Sequence, residues 1–321
     1  MSPSSSLVIE THGLSKHYDE VQALQALDLQ VKEHSIFGFL GPNGAGKTTT
    51  IKLLLGLIQP TAGSGTIFDY DLQRESMEIR RRVGYLAQNP RYYDYMTARE
   101  TLRFTARFFF KGPAAAIEQR VAETLGLVGL EEKADRPIKT FSGGELQRLG
   151  IAQAQINYPD LLILDEPAAS LDPQGRRDVL EVMERLRRYT TIFYSTHILD
   201  DVQRVSDTVA ILNHGKLVAQ APIEELLAGS GGVIYQVGVK GPADETRARV
   251  SAQPWVASLT EKEYNGRNVW HVSVTDEAQA EEQLLRLILA DAAVSVTDYG
   301  RQKYELEEIF LNIVEGDERD R

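Results

Sequence analysis

The sequence predicts an α/β fold with an α-helical insertion, followed by a small α+β domain. Three observations predict it. A glycine-rich stretch, residues 41–49, lies between an apolar run, residues 35–40, and a helical pattern, residues 48–57. A second apolar run, residues 161–164, ends in two carboxylates, as a buried parallel strand does at a ligand-binding sheet edge. After a Gly- and Ser-rich stretch, residues 228–232, strand and helix patterns of a different order follow.

Composition limits the classes of function. A chain of 321 residues has room for roughly two domains. No window approaches the ~18 consecutive apolar residues of a membrane span, and the first residues lack the pattern of a secretion signal. The absence of Cys excludes disulfides, thiolate catalysis and Cys-ligated zinc, and is typical of a reducing cytoplasm. A net charge of −11 argues against a general nucleic-acid surface.

The glycine-rich stretch has the G-x-x-x-x-G-K-[ST] pattern in the strand–loop–helix context that makes it a phosphate-binding loop. Its glycines allow backbone N–H groups to turn inward, and the helix N-terminus adds a partial positive charge. Lys47 is expected to reach the β- and γ-phosphates, and the Thr48 hydroxyl to ligate Mg²⁺. An accidental match in a surface loop is the alternative, which the flanking strand and helix disfavour. The predicted nucleotide-binding residues of this loop are Gly41, Pro42, Asn43, Gly44, Ala45, Gly46, Lys47, Thr48 and Thr49.

The segment before this loop predicts short strands at residues 7–11, 27–31 and 35–40. Tyr18 lies on the connection between the first two. Its ring could stack on a nucleotide base, or it could be a half-exposed tyrosine at a strand end.

A buried strand at residues 83–87 leads into a loop, residues 88–95, that begins with Gln88 and contains three tyrosines. These tyrosines indicate a contact surface or a loop that packs on its own domain. Helical patterns at residues 97–110 and 113–127 then predict the α-helical insertion.

Residues 142–145, Ser-Gly-Gly-Glu, open the next predicted helix. Ser142 and Glu145 fit a capping box. A cap does not require two consecutive glycines, and Gly143 and Gly144 leave backbone N–H groups open to an anion such as a phosphate.

The strand at residues 161–164 releases Asp165 and Glu166, whose side chains point in different directions. Asp165 can hold Mg²⁺ through water, and Glu166 can orient an attacking water. Asp172 follows shortly afterwards, and a further strand, residues 191–195, ends near His197.

Taken in order, these motifs resemble those of the nucleotide-binding subunits of ABC transporters. Tyr18 lies where that family has the aromatic that stacks on adenine, residues 41–49 match the Walker A loop, and residues 161–166 match Walker B. Gln88 takes the place of the Q-loop glutamine. The resemblance covers residues 7–228 and implies a P-loop NTPase ABC ATPase core with a mixed sheet plus an α-helical subdomain.

The remaining family elements match Ser142-Gly143-Gly144-Glu145 as the signature, Asp172 as the D-loop residue and His197 as the switch histidine. The resemblance implies that two subunits pair head-to-tail and hold two ATP molecules, each between the Walker A loop of one subunit and the signature of the other.

The resemblance also implies roles in hydrolysis. Glu166 would be the general base, His197 would contact the γ-phosphate, and Gln88 would take part in catalysis. Thr48, Gln88 and Asp165 would surround Mg²⁺.

Two positions depart from the family. Glu145 replaces a common Gln, and we expect its carboxylate to cap its own helix rather than face the nucleotide. Residues 168–170, Ala-Ala-Ser, stand where Thr or Ser and then Gly are commoner.

The expected domains are residues 1–228, the nucleotide-binding domain with its helical subdomain at about 96–158, a linker at 229–232, and residues 233–321. The last part shows strand, helix, strand, strand, helix, strand patterns, an order βαββαβ that is ferredoxin-like. The predicted strands are residues 233–240, 255–262, 268–274 and 294–299, the predicted helices 243–252 and 277–289, and a last helix 306–314.

This layout disfavours the all-β regulatory domain of some importer ATPases and looks more like ATPase subunits of bacterial exporters with a separate permease. The predicted partners are a second ATPase subunit, a homodimer being expected, and an integral membrane permease that contacts residues 88–95 and the helical subdomain; no nucleic acid is expected. The protein would lie at the cytoplasmic face of the cell membrane through that permease. The alternatives are a soluble ABC ATPase that acts on ribosomes or DNA, and a P-loop kinase, which would not need the signature.

Overall fold

The computed structural model describes residues 6–228, 233–264, 267–301 and 310. The chain divides into two compact units, with the division between Ile223 and Glu224. The expected domain boundary lies a few residues later, at residue 228. The expected linker, residues 229–232, lies outside the described residues, as does the expected last helix at 306–314 apart from Phe310, which is helical.

The first unit is organised around a six-stranded sheet in the order β11-β10-β4-β9-β8-β7. Neighbouring strands are parallel except β10 and β11. Every residue of β4, β8 and β9 is buried, which is why β4 and the first four residues of β8 are continuous apolar runs in the sequence. In chain order the six strands are β4 (Ile36–Leu40), β7 (Val83–Leu86), β8 (Leu161–Asp165), β9 (Thr191–Thr196), β10 (Thr208–Asn213) and β11 (Lys216–Pro222).

A second, antiparallel sheet packs over a shared apolar core and has the order β2-β1-β5-β6, with β3 paired to β1. The expectation of a short first strand at residues 7–11 is wrong. That strand extends to Tyr18, because residue pairs along its far half hydrogen-bond to a second strand that the sequence pattern did not predict. The strands are β1 (Leu7–Tyr18), β2 (Val21–Leu27), β3 (Gln30–Lys32), β5 (Ala62–Ile67) and β6 (Tyr70–Asp71).

Helices flank the six-stranded sheet and form the predicted insertion. The insertion begins at a complete capping box, in which the Thr97 hydroxyl accepts from the Glu100 N–H and the Glu100 carboxylate accepts from the Thr97 N–H. The helices of the first unit are α1 (Lys47–Leu54), α2 (Ser76–Arg82), α3 (Ala98–Phe109), α4 (Ala114–Val128), α5 (Gly143–Gln155), α6 (Pro173–Leu186) and α7 (Leu199–Val205). A further helix, α8 (Ile223–Ala228), begins at the division between the two units.

The second unit has the element order βαββαβ. Its four strands form an antiparallel sheet in the order β13-β14-β12-β15. Trp255, Trp270 and the helix residue Leu284 are buried in its separate core. The elements are β12 (Val233–Lys240), α9 (Asp244–Ser251), β13 (Val256–Tyr264), β14 (Arg267–Val274), α10 (Glu277–Leu289) and β15 (Ser295–Arg301).

Candidate functional site

The carboxyl ends of four neighbouring parallel strands meet at one edge of the central sheet. The phosphate loop follows β4, Gln88 follows β7, Asp165 and Glu166 end β8, and His197 follows β9. A cavity of about 700 Å³ opens beside this edge. It is lined by Val21, Gln22, Ala23, Gln25, Asn43, Gly44, Gly46, Lys47, Thr48, Thr49, Gln88, Glu166 and His214.

The phosphate loop is wound tightly enough that only glycine fits at residue 46. Gly46 has φ +109°, and a Cβ atom there would lie 2.5 Å from the carbonyl oxygen of Ala23. Lys47 is curled back over the loop, where its ammonium donates to the carbonyl oxygens of Gly41 at 2.7 Å and Pro42 at 3.1 Å. The loop therefore fixes this lysine at the wall of the cavity.

Glu166 is the centre of the site. Its Oε1 lies 3.3 Å from Lys47 Nζ, and its Oε2 accepts from Gln88 Nε2 at 3.3 Å and lies 3.2 Å from His197 Nδ1. The Lys47 and Glu166 side chains are only 5% and 6% exposed, whereas His197 is 40% exposed. Four of the predicted residues, from four separate chain segments, are thus in direct contact.

The backbone of Glu166 is also unusual. Its φ is +51°, a left-handed conformation that costs a non-glycine residue of order 1–3 kcal/mol and is typical of functional sites. Its N–H donates to the Ser195 hydroxyl at 3.0 Å and lies 3.2 Å from the Ser195 carbonyl oxygen. Strand β9 thereby holds the strained turn that aims Glu166 into the cavity.

Ser195 is a residue of this site that sequence reasoning missed. It is fully buried, and its hydroxyl donates to Asp165 Oδ1 at 2.6 Å while accepting from the Glu166 N–H. The sequence could have pointed to Ser195, because it lies two residues before His197 at the end of β9, the strand next to the one that carries Asp165. Ser195 links the two acidic residues to the strand that carries the histidine.

Asp165 and Thr48 bring oxygen atoms together where a cation is expected. The Thr48 hydroxyl donates to Asp165 Oδ2 at 3.0 Å, and the Asp165 side chain is buried. A hydroxyl and a carboxylate oxygen are ligands that suit Mg²⁺, which binds through one or two protein groups and completes its shell with phosphate and water. Within the described residues, no cluster of three or more His, Cys, Asp or Glu side chains could hold a metal by itself. This donor set fits a cation that arrives with a nucleotide.

Tyr18 ends β1 and is 43% exposed, with Lys16 Nζ 5.0 Å from the centre of its ring. It is not among the residues that line the cavity, although Val21, its partner in the hairpin, is. His214 also lines the cavity and was missed, because it lies on the turn between β10 and β11, far from every motif in the sequence.

The signature and Asp172 line a second, separate cavity of about 440 Å³. Here α5 and α6 begin side by side. A Cβ atom on Gly144 would lie 3.0 Å from Gly175 Cα, so close packing of the two helices accounts for this glycine. Asp172 caps α6, its Oδ1 accepting from the Gly175 N–H at 2.9 Å. The cavity is lined by Lys133, Ser142, Gly143, Gly144, Glu145, Arg148, Ser170, Leu171, Asp172, Gln174, Gly175 and Asp178.

Glu145 caps its own helix, as expected. Its Oε2 accepts from the Ser142 N–H at 2.8 Å, and its own N–H donates to the Ser142 hydroxyl at 3.3 Å. Its other oxygen, Oε1, accepts from the ammonium of Lys133, a residue that sequence reasoning did not single out. Burial raises the pKa of this carboxyl, but the hydrogen bonds from Lys133 and the Ser142 N–H outweigh burial and hold the pKa below its ordinary value.

Residues 24–169 match the family described as ABC transporter. The bacitracin transport ATP-binding protein BcrA of Bacillus licheniformis is 42% identical over 223 residues, which cover 69% of this chain and 72% of BcrA. The linearmycin resistance ATP-binding protein LnrL of Bacillus subtilis is 30% identical over 311 residues, which cover 95% and 98% of the two chains. This chain belongs to the ABC transporter family. It is an ATP-binding subunit.

Solved structures agree. The structure of cbiO1 from Clostridium perfringens, part of the ABC transporter complex cbiONQ, superposes with a TM-score of 0.65 at 27% identity, covering 70% of this chain and 91% of cbiO1. The predicted ABC ATPase core is therefore confirmed, and the ABC subunit binds and hydrolyses ATP. Because LnrL matches nearly the whole chain, the second unit is shared with this relative.

Proposed function

We propose that this ABC ATPase subunit pairs head-to-tail with a second copy around two ATP molecules and drives export through a separate membrane permease. One observation carries the proposal. The phosphate loop with Glu166 lines one cavity, and the signature with Asp172 lines another, so that each cavity holds only part of an ATPase site. The second cavity has a helix N-terminus for a phosphate but no phosphate loop. A second copy placed head-to-tail supplies to each cavity what it lacks.

ATP is held mainly by the phosphate loop. Lys47 exchanges its bonds to Gly41 and Pro42 and its contact with Glu166 for phosphate oxygens. Thr48 and Asp165 would hold Mg²⁺, which neutralises charge developing on the phosphates when bound. Ser195 keeps the Asp165 carboxylate oriented through its hydrogen bond. Gln88 approaches the same group of residues from β7.

Glu166 acts as the general base. Its Oε2 already faces the two polar side chains of Gln88 and His197, so the carboxylate is oriented to accept a proton from a water between it and the γ-phosphate. When Lys47 moves to the phosphates, Glu166 Oε1 is released from its contact with the ammonium and becomes free to face the water. His197 then orients the carboxylate and contacts the γ-phosphate.

The permease contact lies on the loop at residues 88–95 and on the helical subdomain. Tyr93 and Tyr95 are 58% and 76% exposed, and Phe108 on α3 is 72% exposed, in a subdomain that carries the further exposed aromatics Phe104 and Phe109. Large exposed apolar groups are typical of binding surfaces. The Tyr92 hydroxyl donates to the Leu146 carbonyl oxygen at 3.1 Å, in the first turn of the signature helix. A movement of this loop on the permease would therefore be transmitted to the signature helix through this hydrogen bond.

The direction of transport is proposed as export, on the similarity to a linearmycin resistance protein over almost the whole chain. Across the described ranges, no helix is both long and apolar enough to cross a membrane. Because we propose that the protein drives a membrane permease with ATP, we place it at the cytoplasmic face of the cell membrane, held there by that permease.

Co-purification tests this function. The tagged protein, carrying Glu166→Gln to stabilise the assembly, is isolated from detergent-solubilised membranes of its source, and partners are identified by mass spectrometry. Lys47→Ala, which cannot hold the phosphates, is the matched control for nucleotide dependence. A polytopic membrane protein in stoichiometric amount is expected. Ribosomal proteins or DNA without a permease would replace this proposal with the soluble alternative.

A further inference from the structure

The signature helix α5 of this protein begins with an ion pair between a buried carboxylate, Glu145, and a partly exposed ammonium, Lys133. The Glu145 side chain is 9% exposed and Lys133 is 38% exposed. The two carboxylate oxygens have separate partners: Oε2 accepts from the Ser142 N–H, which completes the helix cap, and Oε1 accepts from Lys133. A glutamine could form the same cap with its single carbonyl oxygen and would need no cation. The contact with Lys133 is therefore one that a charged residue 145 uses and that a glutamine would not need.

The charges around this cavity show why the cation matters. Among its lining residues three are acidic, Glu145, Asp172 and Asp178, and two are basic, Lys133 and Arg148. Arg148 Nη2 lies 3.6 Å from Asp178 Oδ2, so those two charges compensate each other. Asp172 has no cationic partner among these residues and accepts from the Gly175 N–H. Without Lys133, the start of α5 would add a second carboxylate without an ion-pair partner to the cavity that an anion would enter.

We propose that Lys133 is a positioning residue for the composite ATP site, and that it acts by neutralising Glu145 so that the signature can receive the phosphates of ATP bound to the partner copy. This inference rests on the proposed head-to-tail dimer. The charges of Lys133 and Glu145 cancel, so the pair is as neutral as a single glutamine at position 145 would be. The ion pair also holds the 3-10 turn Glu131–Lys133 against the start of α5, which keeps the Lys133 ammonium next to the Glu145 carboxylate.

Three variants of this ion pair should differ in how tightly they dimerise. Lys133→Gln leaves Glu145 charged and should raise the dimer dissociation constant by about tenfold. This loss is smaller than that for a fully buried charge pair at an interface, because Lys133 is partly exposed. Glu145→Gln removes the negative charge and should leave dimerisation as tight as in the parent or tighter. The double variant is neutral again and should recover the parent affinity.

The measurement is the dimer dissociation constant at saturating ATP and Mg²⁺, by analytical ultracentrifugation, in a Glu166→Gln background that does not consume the nucleotide. The ADP affinity of each monomer, by calorimetry, should not change, because Lys133 and Glu145 do not line the phosphate-loop cavity. Arg99→Gln is the matched control: it breaks the Arg99–Asp135 ion pair of the same subdomain, away from the cavity. It should leave the dissociation constant unchanged.

The outcomes separate the inference from the function on which it rests. If the parent does not dimerise with ATP, the proposed function fails and the inference falls with it. If the parent dimerises and Lys133→Gln dimerises equally well, the inference alone is overturned. A weakened Lys133→Gln that the second substitution does not restore also overturns it, because Lys133 would then act by a route other than Glu145. Thermal unfolding of each variant confirms that it is folded.

Discussion

Replacing Glu166 with Gln should stop hydrolysis while keeping the site assembled. Glutamine has nearly the same shape, so its side chain can keep contacts with Gln88 and His197 but can no longer accept a proton. General bases contribute typically about 10²–10⁴-fold, which corresponds to ~2.7–5.4 kcal/mol of activation free energy. We therefore expect turnover to fall by that factor, ATP binding to persist, and an ATP-bound dimer to accumulate.

The same substitution has a calculable effect on stability. Removing one partner of a buried ion pair costs ~3–5 kcal/mol when the other charge is left without partners. Lys47 keeps its two carbonyl acceptors in the phosphate loop, and hydrogen bonds to a charged group contribute ~1.5–3 kcal/mol each. The free energy of unfolding without nucleotide should therefore fall by less than ~3 kcal/mol.

Both effects are measurable on one preparation. Phosphate release at saturating ATP gives the turnover, size-exclusion chromatography with light scattering gives the dimer fraction, and urea unfolding gives the stability. Glu184→Gln, which removes a carboxylate from the exposed surface of α6, is the matched control and should change none of them. Hydrolysis by Glu166→Gln at the wild-type rate would refute the assignment of the base.

Three further predictions concern Ser195, Glu145 and Tyr18. Ser195→Ala removes the donor to Asp165, so urea unfolding should show a loss of ~1–3 kcal/mol and the Mg²⁺ concentration for half-maximal hydrolysis should rise; an unchanged Mg²⁺ requirement would reduce Ser195 to a structural role. The pKa of Glu145 is lower in the folded protein than in the unfolded chain, so on acidification the unfolded chain binds this proton first. The stability of the wild type relative to Glu145→Gln should therefore be constant well above pH 4.5, the ordinary pKa, and should decrease as the pH falls below it. A stability difference that does not change with pH across this window would contradict the ion pair. If Tyr18 stacks on the base, Tyr18→Ala should weaken ATP binding by ~1–3 kcal/mol and Tyr18→Phe should not, as calorimetry would show; equal affinity in all three proteins would leave Tyr18 as a strand-end residue.

The sequence by itself determined the parts of this protein that depend on neighbouring residues. The phosphate loop, the capping box of Ser142 and Glu145, strands β4, β7, β8 and β9 of the central sheet and the element order of the second unit all follow from local glycine placement, capping chemistry and apolar periodicity. These signals lie within a few residues of one another, so they can be read without knowing the fold.

Only the tertiary structure decided which distant residues meet. The contacts of Glu166 with Lys47, Gln88 and His197 exist because β4, β9, β8 and β7 are neighbours in that order, and sequence spacing does not specify strand order. The same is true of Ser195 beneath the acidic pair, because it meets Asp165 only across a strand pairing. Side chains such as these have no local periodicity of their own, since their positions are set by packing between segments far apart in the chain.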